Sequence, residues 1–147
     1  VYAGPLILVN AAHPIQREAE PELAAPDGRH PDILMERRAA RLLAACVQAV
    51  RGAGAIVPVS GWRSQAEQQQ IWDDTLRTEG DAFTRQYVAL PGCSEHQTGL
   101  AIDLGEDVPD LDFIRPSFPD SGACGAFRRA ERLGDSRTAF RRSAGVF

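Results

Sequence analysis

The sequence predicts a single α+β domain, and three observations carry that expectation. Apolar residues recur at helical spacing between Asp32 and Val50. A second helical stretch opens at Ser64 with a capping signal. Short apolar runs at 55–60 and 98–104 read as strands. At 147 residues and 44% hydrophobic content, the chain is long enough for one real core and too apolar to be wholly disordered. No apolar run approaches the roughly 18 residues that span a membrane. The apolar run at 4–9 is too short for a signal-peptide core, and no basic segment precedes it. The chain starts directly in strand-like sequence, which leaves room for a leader or upstream domain outside it.

Leu6 to Asn10 is the first expected strand, closed by Asn10-Ala11-Ala12-His13-Pro14. His13 precedes a proline, which favours extended backbone and a turn or rim position over a metal site. Residues 16–31, rich in Pro, Glu and Gly, form an irregular connection ending at His30, a solvated loop residue. Asp32 is the expected N-cap of the first helix. Its stripe is Met35, Ala39, Leu43, Cys46 and Val50, widened by Leu42 and Val47, with Arg37, Arg38, Arg41 and Gln48 on the wet side. Gly52 and Gly54 stop it. This helix is scaffold, and Cys46 reads as a small core residue.

Ala55 to Ser60 forms the second strand, where Pro58 implies an edge or a bulge. Ser64 and Glu67 make a Ser-x-x-Glu capping box for a helix through Ile71, Trp72 and Leu76, ending before Gly80. A short helix over Asp81–Val88 follows, and Pro91-Gly92 turns the chain. From Thr98 onward, Leu100, Ile102 and Leu104 alternate with Gly99, Ala101 and Asp103, the pattern of a strand with one apolar face.

The net charge of −4 is unevenly spread. From Gly125 to Phe147 there are six arginines against Glu131 and Asp135, whereas the rest of the chain carries ten arginines against eighteen acids. That tail has little aromatic interleaving and no nucleic-acid-binding motif, so no nucleic-acid partner is expected. All sixteen basic residues are arginine, which fits GC-rich coding DNA. Cys46, Cys93 and Cys124 give neither a zinc-ribbon spacing nor a disulfide framework.

The chemistry concentrates in Ser94-Glu95-His96-Gln97-Thr98-Gly99-Leu100-Ala101-Ile102-Asp103. An imidazole ahead of the strand is able to fold over its open face toward Asp103. A neutral imidazole and a carboxylate are two of the three protein ligands that a catalytic zinc usually has. Spacing alone fits a surface histidine near a strand-end aspartate equally well. Arg63 lies where a strand gives way to a helix, and a guanidinium there suits a carboxylate or a developing oxyanion. Taken alone it reads as a surface arginine.

Ser94-x-His96-x-x-Gly99-x-Ala101-x-Asp103, preceded by Ser60-Gly61-Trp62-Arg63-Ser64 and Gln68, resembles the VanY-type D-alanyl-D-alanine carboxypeptidases. These are zinc peptidases of the D-Ala-D-Ala carboxypeptidase/dipeptidase superfamily. The likeness covers residues 6–116 and includes Leu8-Val9-Asn10. It implies helices packed on a small, mainly antiparallel sheet with the metal site on its open face. It implies that His96 and Asp103 are two ligands of Zn2+, and that Arg63 contacts the substrate carbonyl and stabilises the tetrahedral intermediate. Ser94 and Gln68 would line the pocket for the terminal D-alanine, with Trp62 as an aromatic wall where the family has tyrosine. Small Gly99 and Ala101 are expected to let an extended peptide approach.

The implied activity is hydrolysis of the terminal D-Ala-D-Ala bond of peptidoglycan precursors or stem peptides, or of the dipeptide itself. A phage-type endopeptidase of the same superfamily is the other enzymatic reading. That substrate class points to the bacterial cell envelope, while the resemblance also allows the cytoplasm, where some relatives work. The family's third zinc ligand and general base come from a later Glu-x-Trp-His segment. This chain has no histidine after His96 and no tryptophan after Trp72. His13 and His30 are poor substitutes by position. Glu106, Asp107 and Asp110, just past the strand within reach of the metal, read more simply as a solvated loop. Glu95 beside His96 could act as a base only in an unfamiliar geometry. Residues 1–124 are therefore read as an incomplete peptidase-like domain and 125–147 as a basic tail of atypical sequence. Within that tail 126–130 is expected to start a helix, and the stretch beyond resembles a shifted reading frame. The non-enzymatic reading is an inactive fragment or a remnant that binds peptidoglycan peptides.

Overall fold

Four helices and two antiparallel strand pairs build the described part of the chain, which in this computed structural model comprises residues 7–16, 21–112 and 115–132. In order they are β1 (Leu23–Ala24), β2 (Met35–Glu36), α1 (Arg37–Ala49), β3 (Ile56–Ser60), α2 (Gln65–Glu79), α3 (Asp81–Tyr87), a 3-10 turn over Glu95–Thr98, β4 (Asp103–Glu106) and α4 (Gly122–Arg132). The α+β class and the antiparallel pairing agree with expectation, as two separate pairs, β1–β2 and β3–β4.

The β3–β4 pair sets up the site. Ile56 faces Glu106, Val57 faces Gly105 and Pro58 faces Leu104, but Asp103 faces Ser60. The extra residue at Val59 is a bulge beside the proline, which has no amide hydrogen to give the ladder. Beyond it the chain runs directly into Gly61-Trp62-Arg63 and then α2. That helix begins as expected: Ser64 and Glu67 form a reciprocal capping box. Pro91-Gly92 also turns as expected, with Gly92 at φ 82° and Cys93 N–H donating to the Leu90 carbonyl at 2.8 Å.

Several boundaries differ from the sequence reading. Asp32 is not the cap of α1. Glu36 is, its carboxylate accepting from the Arg38 and Ala39 amides at 3.0 and 2.9 Å. Met35 consequently leaves the helical stripe and enters β2, where it is fully buried. The buried face of α1 is Ala40 and Leu43, while Leu42 stays 46% exposed. After α1, Arg51 takes the left-handed conformation at φ 54° and the expected Gly54 does so at φ 81°, whereas Gly52 packs tightly against Ile56.

The expected first strand is absent from residues 7–9, and Asn10 only bridges to His13 across a turn that its own side chain caps. The expected strand from Thr98 starts only at Asp103, because the backbone first tightens into the 3-10 turn and Gly99 closes it at φ 73°. Gly99 does not open space for a peptide. Its carbonyl accepts from Glu36 N–H at 2.8 Å, and a methyl group there would meet Pro21 at 3.1 Å.

The core gathers Met35, Ala40, Leu43, Ile56, Ile102, Cys124 and Phe127. Cys46 packs against it from α1. Helix α4 spans the expected boundary at residue 124, with Cys124 and Phe127 facing inward. The stretch read as frame-shifted lies, from residue 133 on, outside the described residues. No helix among the described residues is long and apolar enough to cross a membrane.

Candidate metal and substrate site

His96 and Asp103 converge. The 3-10 turn carries the imidazole and β4 begins with the carboxylate, so that His96 Nε2 lies 3.4 Å from Asp103 Oδ2. The orientation of the ring comes from a backbone group that the sequence reading gave no role. His96 Nδ1 lies 2.8 Å from the Gly61 carbonyl oxygen. A carbonyl only accepts, so Nδ1 carries the proton and the neutral ring turns the Nε2 lone pair toward Asp103. Burial, followed by the positive charge of Arg63, pushes His96 below its ordinary pKa, against the pull of Asp103, the Gly61 carbonyl and Glu95. The imidazole is therefore neutral at neutral pH, the state a metal ligand needs.

These atoms fit a zinc ion. Two electron-rich atoms, Nε2 and Oδ2, face each other with no hydrogen between them, and Asp103 Oδ1 is buried with no hydrogen-bond partner. Ligand bonds of about 2.0–2.2 Å to a tetrahedral centre put neighbouring donors about 3.3–3.5 Å apart, which matches this pair. Among the described residues no set of three His, Cys, Asp or Glu side chains gathers, so this pair would offer two of a metal's ligands. His13 sits in the N-terminal turn, its ring against Asn10, and His30 in a loop turn, as the sequence suggested.

Arg63 stands beside the pair. Its backbone amide reaches the His96 carbonyl at 3.4 Å, and its guanidinium donates from Nη1 to Gln68 Oε1 at 3.2 Å. Burial pushes its pKa below the ordinary arginine range, opposed by Asp103 and Glu67, yet it keeps its charge. Arg63 Nε and Trp62 Nε1 are buried donors without an acceptor. Gln68 is only 1% exposed, and its Nε2 donates to the Ala89 carbonyl at 2.8 Å. Ser94 is buried at the entrance of the 3-10 turn. Gly61 is the residue that sequence reasoning passed over. It belongs to the Ser60–Ser64 motif, but its work is done by a carbonyl, which no side-chain pattern announces.

An imidazole and a carboxylate facing each other beside a half-buried guanidinium, on a short antiparallel pair, form a donor set suited to a metal-dependent peptidase. Residues 32–128 match the model of the VanY family, D-alanyl-D-alanine carboxypeptidase, and the chain belongs to that family.

The chain is 41% identical over 125 residues to the bifunctional D-Ala-D-Ala dipeptidase and D-Ala-D-Ala carboxypeptidase VanXYC of Enterococcus gallinarum, a match covering 83% of this chain and 65% of that protein. Its structure resembles that of the vancomycin-resistance D,D-dipeptidase VanXYg in complex with a D-Ala-D-Ala phosphinate analogue, with a TM-score of 0.82 and 44% identity over 96% of this chain and 60% of that one. It also resembles a mutant of the D,D-pentapeptidase VanY from a VanB-type cassette in complex with Zn(II), with a TM-score of 0.60 and 27% identity over 90% and 71% of the two chains. The chain thus spans somewhat less than two thirds of the length of VanXYC and of VanXYg.

Proposed function

We propose that this chain acts as a zinc-dependent D,D-carboxypeptidase or dipeptidase, hydrolysing the terminal D-Ala-D-Ala bond of peptidoglycan precursors or stem peptides. The observation that carries the reading is the facing pair His96 Nε2 and Asp103 Oδ2, 3.4 Å apart, with Arg63 beside it. Membership of the VanY family and the ligands of the similar structures support it.

His96 and Asp103 would hold the metal, which when bound supplies Lewis acidity for attack on a peptide carbonyl. The chain's own residues orient the ligands and stabilise developing charge. Gly61 keeps the His96 proton on Nδ1 and so keeps Nε2 free to bind. Arg63, partly desolvated and always charged, stabilises negative charge as it develops on the scissile carbonyl oxygen. Its unpaired Nε–H gives it a donor that is not consumed by the protein. Ser94, with Gln68 behind Arg63, lines the pocket for the terminal D-alanine.

The test is release of D-alanine from D-Ala-D-Ala and from a pentapeptide stem, with zinc and with a chelator. Release that requires zinc, and that His96→Ala abolishes, supports the reading. Absence of release under all conditions, with stem-peptide binding retained, would replace it with the inactive peptide-binding remnant.

A further inference from the structure

Two glutamines are buried around Arg63 and the turn behind it, Gln68 at 1% and Gln97 at 5% exposure. A buried amide is expensive unless its polar atoms find partners, and each of these two has a partner in the same short turn. Gln97 Oε1 accepts from Gly92 N–H at 2.8 Å, and Gln68 Nε2 donates to the Ala89 carbonyl at 2.8 Å. The turn is tied at a third point, where the Gly92 carbonyl accepts from Ile15 N–H at 2.8 Å.

These bonds have a direction. Because the Ala89 carbonyl only accepts, it compels the nitrogen of the Gln68 amide to face it, which leaves Oε1 facing Arg63. That oxygen accepts from Arg63 Nη1 at 3.2 Å. A flipped amide would set an N–H group against a guanidinium that has only donors. The orientation of the guanidinium therefore depends on where Ala89 sits, and Gln97 holds the turn that carries Ala89.

We propose that Gln68 and Gln97 are positioning residues for Arg63, acting through the 89–92 turn. The relay runs from Gln97 to Gly92, along the turn to Ala89, through the Gln68 amide and into the plane of the guanidinium. The inference rests on the role proposed above for Arg63, and it assigns a function to Gln97, whose side chain faces the turn and not the metal pair.

The experiment reads the relay by NMR, without substrate or metal. Gln97→Met keeps the bulk and removes the acceptor, whereas Gln97→Glu restores an acceptor for Gly92 N–H. Loss of one such bond speeds exchange of the Gly92 amide by about threefold to tenfold. In Gln97→Met we expect that loss, together with collapse of the resolved Arg63 Nη signals into the averaged signal of a freely turning guanidinium. In Gln97→Glu both return. With zinc and D-Ala-D-Ala, Gln97→Met is expected to lower kcat with little change in KM. Arg63 signals that stay resolved while Gly92 loses protection would overturn the proposal. Should Gln97→Met fail to fold, the wild-type protein still decides: a scalar coupling from Gln68 Nε2 to the Ala89 carbonyl carbon is required, and its absence overturns the relay. A protein that releases no D-alanine but shows these couplings would sink the proposed function and leave the relay intact.

Discussion

Replacing Gly61 with alanine would test whether one glycine governs both the end of the sheet and the direction of the imidazole. A methyl group at this position collides with the Leu34 carbonyl oxygen and lies 3.1 Å from Ile33 Cγ2. The carbonyl cannot swing aside freely, since it accepts from Trp62 N–H at 2.6 Å. Backbone must therefore move against backbone. Overpacking of this kind costs about 1–3 kcal/mol, and loss of the Trp62 bond adds about 1 kcal/mol. A combined cost of about 2–4 kcal/mol lowers Tm by roughly 6–16 °C in a domain of this size. The same shift displaces the Gly61 carbonyl from His96 Nδ1, and losing such an outer-shell partner weakens metal binding by about 10- to 100-fold. Thermal unfolding by circular dichroism and competitive zinc titration measure the two effects. A Tm within about 2 °C of wild type would refute the clash. A lower Tm with unchanged zinc affinity would refute the orienting role.

Arg63→Ala is expected to lower kcat for D-alanine release by about 10²- to 10³-fold while zinc affinity holds; equal loss of both would contradict the role given to this guanidinium. Glu36→Gln should make stability less dependent on pH. Burial works to raise the Glu36 pKa, but the Ala39 and Arg38 amides outweigh it and hold the carboxyl below the ordinary glutamate range. Its stabilisation is thus complete above the unfolded value and lost as pH falls through the lowered one. Urea titrations across that interval should show wild type losing its advantage over the glutamine variant, an advantage of about 1 kcal/mol or less. Leu43→Ala should cost about 2–5 kcal/mol, whereas Leu42→Ala should stay within about 0.5 kcal/mol. Chemical denaturation of the two variants distinguishes the buried face of α1 from its exposed one.

The parts of the fold legible in the sequence were those set by local chemistry. Ser64 and Glu67 announce the start of α2 because each satisfies an amide of the other's neighbourhood. Pro58 announces the bulge because it cannot join the ladder. Other boundaries are decided by tertiary partners. Asp32 is a strong local cap signal, yet Met35 pairs in β2 and is drawn into the core, so the helix waits for Glu36. Alternation around Gly99 looks like a strand, but the Gly99 carbonyl is claimed by Glu36 N–H and the backbone tightens instead.

The site divides along the same line. Side chains with distinctive chemistry, His96, Asp103 and Arg63, were visible as candidates, and the structure brings all three together. Groups that orient them were not. The carbonyls of Gly61 and Ala89 exist in every residue, and Gln97 reads as a filler position between a ligand and a turn. Their roles depend on contacts across 35, 21 and 5 positions of sequence, and no short pattern records them.

Zinc titration of the wild-type chain beside His96→Ala and Asp103→Asn tests the central claim most directly. The facing lone pairs of His96 Nε2 and Asp103 Oδ2 predict that wild type binds the metal and that either substitution removes most of the affinity. Equal zinc binding by all three proteins, or none by wild type, would contradict it.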